Sequence, residues 1–127
     1  MPWTARVEPP ALESVYLRPL LDCLVQINLI WRRTNPRASR LYDSGVVYRR
    51  EPRGQERWLS VPKVLARGFG DCEDLACWLV SDLIFFGGDP GARPFHRSKQ
   101  TDRGMLYHIL VKRSDGTLED PSKKLGM

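Results

Sequence analysis

The chain has 127 residues, 42% hydrophobic and 28% charged, a size and composition that fit one globular domain and exclude a fibrous or wholly disordered chain. The formal net charge is +5 at pH 7, but the arginines are scattered and do not alternate with aromatic residues, which argues against a nucleic-acid partner. The three cysteines include no CxxC pair, which argues against a zinc site, and their odd number leaves at least one unpaired in a monomer, which favours a reducing compartment.

The sequence shows no pattern typical of an export signal or a membrane span. Its N-terminal residues lack a basic segment followed by an apolar run, and the most apolar stretch, residues 20–31, is interrupted by Asp22, Gln26 and Asn28. We therefore expect a cytoplasmic protein without a membrane partner, folded as a single domain over residues 1–127.

The first predicted element is a largely buried helix over residues 17–33. Apolar residues recur densely in it, Pro19 is acceptable early in a helix, and Pro36 closes the segment. Cys23 lies in this helix and is expected to be a small core residue, because unpaired cysteines are commonly buried.

A strand or extended segment is predicted next, at residues 45–50. Residues 51–57 are polar and contain a proline and a glycine, which indicates an exposed loop. Ser60 can cap a short helix that ends near Arg67.

A second and stronger helix is predicted from Cys72 to about Phe86. Asp71 precedes it as a cap, apolar residues recur at helical spacing within it, and two glycines end it. Cys77 lies roughly 140° around the helix from Cys72, so we expect it to pack in the core rather than share a site.

Cys72 is the candidate nucleophile. A cysteine in the first turn of a helix faces unsatisfied backbone amides and the positive end of the helix dipole, which favour the thiolate. The acids Asp71, Glu73 and Asp74 oppose this because nearby negative charge raises the pKa of a thiol, so activation should require a histidine. The same acids also have a purely structural interpretation, since Asp and Glu stabilise helix N-termini.

The C-terminal third is predicted to be mainly extended. Residues 93–97 form a candidate strand, residues 98–104 a polar loop, and residues 105–113 the best strand in the sequence. Residues 114–116, Ser-Asp-Gly, are predicted to turn the chain so that residues 117–121 return as the partner strand.

Two histidines are available as the base, and we choose His108 over His96. His108 lies inside the best strand, where its position is better defined than that of His96 beside a polar loop. With a three-residue turn, Asp120 lies diagonally across from His108 on the same face and can orient the imidazole. A register slip of one residue puts Glu119 there instead. As a structural alternative, His108 is a core histidine and Asp120 a turn residue.

These residues resemble the core of the transglutaminase-like superfamily, and most closely its short bacterial cysteine proteinases. Residues 70–74, Gly-Asp-Cys-Glu-Asp, are similar to the GDCED motif of that family. Asn28 and residues 58–64 resemble its Asn-bearing helix and its Trp-Pro helix start, although the Trp-Pro spacing is one residue longer. His108 and Asp120 match the histidine and the aspartate of the family.

The resemblance implies an α+β fold with a papain-like or transglutaminase-like core, in which the nucleophile helix packs on a small antiparallel sheet. The helical part covers about residues 10–35 and the catalytic core about residues 58–122. The implied activity is that of a cysteine peptidase or amide hydrolase, which attacks a protein or peptide substrate through a thioester, with Cys72, His108 and Asp120 as the triad.

Two further groups of residues follow from this mechanism and from the family. Trp58 and Asn28 are candidates to assist the backbone amide of Cys72 in binding the oxyanion. No cofactor is required, but some relatives bind calcium through the acids beside the cysteine, here Asp71 and Glu73, which alone are few ligands for this ion.

Three other functions remain open at this point. A crosslinking transglutaminase uses the same triad with an amine as acceptor, and an NlpC/P60-like peptidoglycan hydrolase also places a helix-start cysteine before a strand histidine. A catalytically silent binding module on the same fold would use the basic surface to bind nucleic acid or another protein.

Overall fold

A computed structural model describes residues 10–51, 58–102 and 104–127, which form a mixed α+β structure. The elements in chain order are helix α1 (Pro10–Thr34), a 3₁₀ helix (Leu41–Asp43), strand β1 (Val47–Tyr48), helix α2 (Val61–Arg67), strand β2 (Phe69–Gly70), helix α3 (Cys72–Phe85), strands β3 (Arg93–Thr101), β4 (Gly104–Lys112) and β5 (Leu118–Glu119), and helix α4 (Pro121–Lys124).

Two small sheets accompany the helices. Strands β1 and β2 pair in parallel, with Tyr48 beside Gly70. Strands β3, β4 and β5 form an antiparallel sheet in that order. Its β4–β5 register pairs Val111 with Glu119, and Gly116 has the left-handed conformation that the predicted three-residue turn requires. The predicted turn and register are therefore confirmed.

Helix α3 is the centre of the core. Every residue from Cys72 to Asp82 is buried, because α1 packs along one side of the helix and β4 along another. A helix that is apolar on nearly all sides is stable only inside such an enclosure. The first turn of α3 is acidic but still buried, which places charged groups inside the core at this end.

A buried ion pair joins the C-terminal ends of α1 and α3. Arg32 Nη2 lies 2.7 Å from Asp82 Oδ1, and Arg32 Nη1 donates to the carbonyl of Ala38 at 2.7 Å. The second carboxylate oxygen of Asp82 accepts the backbone N–H of Leu41 at 3.1 Å. Burial still raises the pKa of Asp82, although Arg32 opposes the shift. These contacts close the connection that follows α1.

In the C-terminal part of the chain, one sequence prediction is wrong and one helix was not predicted. Residues 98–104 were expected to be a loop, but β3 continues to Thr101 and pairs with β4 up to Gly104. Polar residues are tolerated there because β3 is an edge strand with exposed side chains. Sequence analysis also missed α4, whose cap is Asp120.

Cys23 was expected in the core and is instead exposed. The face of α1 that packs inward carries Leu21, Leu24 and Asn28, and Cys23 lies outside that face. Cys77, by contrast, is fully buried as predicted. The predicted exposed loop at residues 51–57 lies outside the described residues apart from Glu51, which is buried.

Among the described residues, no helix combines the length and the apolar character needed to cross a membrane.

Candidate active site

The start of α3 is fixed by a reciprocal capping arrangement. The side chain of Asp71 accepts the backbone N–H of Cys72 at 2.7 Å and also that of Asp74. In return, Asp74 Oδ2 accepts the backbone N–H of Asp71 at 3.1 Å. Such a capping box satisfies amides that a helix N-terminus otherwise leaves without partners. It also holds Cys72 in the first helical turn, as the sequence predicts.

The sulfur of Cys72 is turned inward. The residue is 8% exposed, and its thiol donates to Glu73 Oε2 at 3.4 Å. Burial and the negative charge of Glu73 raise the pKa of this thiol, while a hydrogen bond from the backbone N–H of Ile109 acts in the opposite direction. The surroundings of the sulfur therefore favour the thiol over the thiolate.

His108 and Asp120 are in direct contact. His108 Nε2 lies 2.7 Å from Asp120 Oδ2, because the β4–β5 register brings Asp120 to the same face as His108. The other carboxylate oxygen accepts the backbone N–H of Ser122 at 3.1 Å and thereby caps α4. A carboxylate accepts from Nε2–H, so Nδ1 is left as the proton acceptor of the ring.

The backbone of β4 connects this pair to the nucleophile. Ile109, whose amide contacts the Cys72 sulfur, directly follows His108. Within the described part of the chain, however, no hydrogen bond joins Cys72 Sγ to His108. The structure therefore brings His108 and Asp120 together and places Cys72 beside them, with its thiol bonded to Glu73.

His96 and Glu119, the alternatives to His108 and Asp120, contact other residues. His96 pairs with Ile109 across the β3–β4 ladder and lies on the opposite face from His108. Its ring instead forms an edge contact with Tyr107 at 6.1 Å. Glu119 accepts from Tyr42 Oη at 2.6 Å and forms ion pairs with Arg113 and Lys124.

The two oxyanion candidates lie beside hydrogen bonds at the starts of α2 and α3. Asn28 is fully buried, and its Oδ1 accepts the backbone N–H of Val61 at 3.0 Å, at the start of α2. Trp58 is partly buried against the core, and the backbone N–H of the next residue, Leu59, donates to Asp74 Oδ1 at 2.8 Å. The amide of Cys72 donates to Asp71, so an oxyanion needs either a new donor or a rearranged cap.

The oxygen donors beside Cys72 are a poor fit to the calcium ion that the family resemblance suggests. Ligand atoms of Asp71, Cys72 and Glu73 lie within 4.8 Å of one another. Both oxygens of Asp71 already accept backbone N–H groups, from Cys72 and Glu51, and Glu73 accepts the thiol. Calcium takes six to eight oxygen ligands, so we derive no catalytic step through this ion.

The acids around the cap form a buried cluster with one cation at its edge. Arg67 Nη2 lies 2.8 Å from Glu51 Oε1 and 3.3 Å from Asp74 Oδ2. Burial raises the pKa of Asp74 to about 7, and burial together with the charges of Asp74 and Asp71 holds the pKa of Glu73 well above its usual range. Burial, with repulsion between the acids as a smaller contribution, therefore favours the protonated form of both groups.

Sequence analysis did not identify Tyr48 as part of the site. Tyr48 lies beside Gly70 in the β1–β2 pair, and Gly70 precedes Cys72 by two residues. Burial and the negative charge of Asp71 raise the pKa of its phenol to about 12, and Cys72 contributes in the same direction. No sequence signal distinguishes it, because the β1–β2 pairing joins segments about 20 residues apart in the chain.

Comparison with protein-family models, curated proteins and solved structures finds no match to this chain.

Proposed function

We propose that this chain is a cysteine-dependent acyl-transfer enzyme, a peptidase or amide hydrolase with a papain-like or transglutaminase-like core. The observation that carries the proposal is the 2.7 Å contact between His108 Nε2 and Asp120 Oδ2, on the strand whose next amide contacts the Cys72 sulfur. A carboxylate, an imidazole and a thiol in this order are the parts of a nucleophile with an oriented base.

The reaction begins with a turn of the Cys72 side chain from Glu73 towards His108. His108 Nδ1 takes the thiol proton, and the resulting imidazolium is stabilised by Asp120. The thiolate adds to the amide carbonyl, and the leaving amine departs with the proton from His108, which yields a thioester on Cys72. Water, deprotonated by His108, then releases the acid and restores the thiol.

The test is labelling by a peptidyl fluoromethyl ketone, located by mass spectrometry. Cys23 is exposed and Cys72 is buried, so accessibility alone favours Cys23. We expect Cys72 to react first in the wild type, and we expect His108→Ala to abolish that reaction. Cys23→Ala is the matched control and should leave the labelling of Cys72 unchanged.

A peptide library digested by the same variants extends the test to turnover. Cys72→Ala and His108→Ala should each remove cleavage, by about a thousandfold or more. Full activity in either variant, or labelling of Cys23 ahead of Cys72, contradicts the proposal.

A catalytically silent binding module is the second candidate. It is favoured by one observation, the hydrogen bond of the resting thiol to Glu73 instead of His108. Such a module should bind ligand equally well as wild type and as Cys72→Ala, with no cleavage by either.

A further inference from the structure

One face of the β3–β4 hairpin carries four basic side chains. Side chains at alternate strand positions share a face, and directly paired residues lie on the same face of an antiparallel ladder. The ladder pairs Arg97 with His108 and Arg93 with Lys112, and Lys99 follows two residues after Arg97. These four cations, here called the basic face, therefore lie on the same side of the sheet as His108.

None of the four cations of the basic face forms an ion pair among the described residues. Neither β3 nor β4 contains an Asp or Glu. Among the described residues, none of the ion pairs includes Arg93, Arg97, Lys99 or Lys112. The three β3 cations are exposed, so their charges are available to a ligand.

Protection of the edge strand does not account for the whole face. Charged side chains on an edge strand prevent association with other strands, which explains the cations of β3. Lys112, however, lies on the central strand β4 directly opposite Arg93, and like charges in facing positions destabilise a sheet. An anionic ligand removes that repulsion.

Resting on the proposed function, we propose that the basic face binds acidic side chains of an extended peptide substrate, next to the scissile amide held at Cys72. Arg97 and Lys99 are the closest members, because Arg97 faces His108 directly and Lys99 lies diagonally from it. An extended peptide repeats its side chains every two residues, as a strand does. Acidic residues at alternate positions therefore match Arg97 and Lys99.

The basic face lacks the platform that single-stranded nucleic acid uses. Such ligands stack bases on exposed aromatic rings. Phe95 is the aromatic residue on this face and is only partly exposed, and Lys112 Nζ lies over its ring, 5.3 Å from the centroid. An acidic peptide therefore fits the surface better.

The experiment compares two peptidyl fluoromethyl ketones of equal length, one with Glu and one with Gln at alternate positions. We expect the Glu probe to label Cys72 about tenfold faster at low salt, because attraction between opposite charges speeds encounter. The preference should disappear in about 0.5 M salt and in Arg97→Glu/Lys99→Glu. Arg18→Glu, which changes an exposed cation on α1, is the matched control and should retain the preference.

A binding measurement separates this inference from the proposed chemistry. Fluorescence anisotropy with a Glu-rich peptide on Cys72→Ala should show binding that Arg97→Glu/Lys99→Glu weakens about tenfold. If both probes leave Cys72 unlabelled, the proposed function fails while the anisotropy still decides the ligand class. Equal labelling by the two probes overturns the acidic-peptide inference. So does a single-stranded oligonucleotide that displaces the bound peptide at a lower concentration than free Glu-rich peptide needs.

Discussion

The two carboxylate oxygens of Asp120 accept hydrogen bonds from different partners, and an amide at this position can keep only one of the two bonds unchanged. One oxygen accepts from His108 and the other from the backbone N–H of Ser122. In Asp120→Asn, the amide oxygen can keep the bond to Ser122, but the amide NH₂ then faces His108 Nε2. Nε2 must become an acceptor, so the ring proton moves to Nδ1 and the base can no longer take the thiol proton.

We therefore expect Asp120→Asn to lower kcat/KM by about a thousandfold or more while the midpoint of thermal unfolding changes little. Steady-state cleavage and calorimetry measure the two quantities. Glu119→Gln is the matched control, because it removes a neighbouring charge that contacts Arg113 and Lys124 but not His108. Comparable losses in kcat/KM for both variants would count against the role assigned to Asp120.

Single residues of the site were predictable to different degrees. The Asp120 contact could be predicted because a short turn fixes the register of the strands it joins, and one glycine revealed the turn. The bond from Cys72 to Glu73 could not be predicted, because a side-chain rotamer depends on packing from distant segments. The same is true of Tyr48, which reaches the site through strand pairing.

The ion pair between Arg32 and Asp82 connects two helices and predicts a large effect of substitution. Arg32→Met leaves the buried carboxylate of Asp82 without its counter-ion, so we expect a loss of about 3–5 kcal/mol in the free energy of unfolding. Urea titration followed by tryptophan fluorescence measures the loss. Arg33→Met, at the exposed neighbouring position, should cost less than about 0.5 kcal/mol.

A second variant tests whether the cost comes from the uncompensated charge. Arg32→Met/Asp82→Leu removes both partners and should be more stable than Arg32→Met alone, because no buried charge is left without its counter-ion. If the double variant is the less stable of the two, the isolated carboxylate is not the cause.

Whole elements were predicted where local signals were strong. Helix α3 has a cap, a periodic apolar pattern and a glycine end, and its predicted and observed starts coincide at Cys72. Strand β3 was predicted too short, because its polar second half is stabilised by pairing with β4 and not by its own composition. Helix α4 did carry a signal, an Asp-Pro pair suited to a helix cap and first turn.

At the scale of the whole molecule, the buried acids predict an unusual response of stability to pH. The pKa of Asp74 is about 7 in the folded chain and about 4 when unfolded, so between these values the folded chain holds a proton that the unfolded chain releases. Stability from this group is complete below about pH 4 and is lost as pH rises through about 7. Glu73 acts in the same direction.

We expect the free energy of unfolding to fall by a few kcal/mol, to order of magnitude, between pH 4.5 and about 7.5. Acids whose pKa is lowered by folding do not mask this change. Hydrogen bonds from Ser114 are the main cause that lowers the pKa of Asp89 to about 2. Its effect on stability therefore appears below about pH 4. Urea titrations across the range measure the slope. Asp74→Asn should flatten it and Asp43→Asn, at an exposed acid, should not; a stability that increases over this range contradicts the assignment.

The mixed α+β class was expected from the family resemblance, and most of its helices and strands were predicted from apolar periodicity and turn signals. The basic face was not, because the segment that carries Lys99 was predicted to be a loop and Lys112 joins the other cations only through the β3–β4 pairing. Charge patterns on sheets depend on register, which composition does not contain.

The inward position of Cys72 has a consequence for the lifetime of the protein. Peroxide attacks the thiolate and not the thiol, so a cysteine that is buried and whose thiol donates to Glu73 should oxidise slowly to sulfenic acid. Of the three cysteines, the exposed Cys23 is then the first to meet an oxidant. The nucleophile becomes vulnerable to irreversible damage only during the part of the catalytic cycle in which it has turned towards its base.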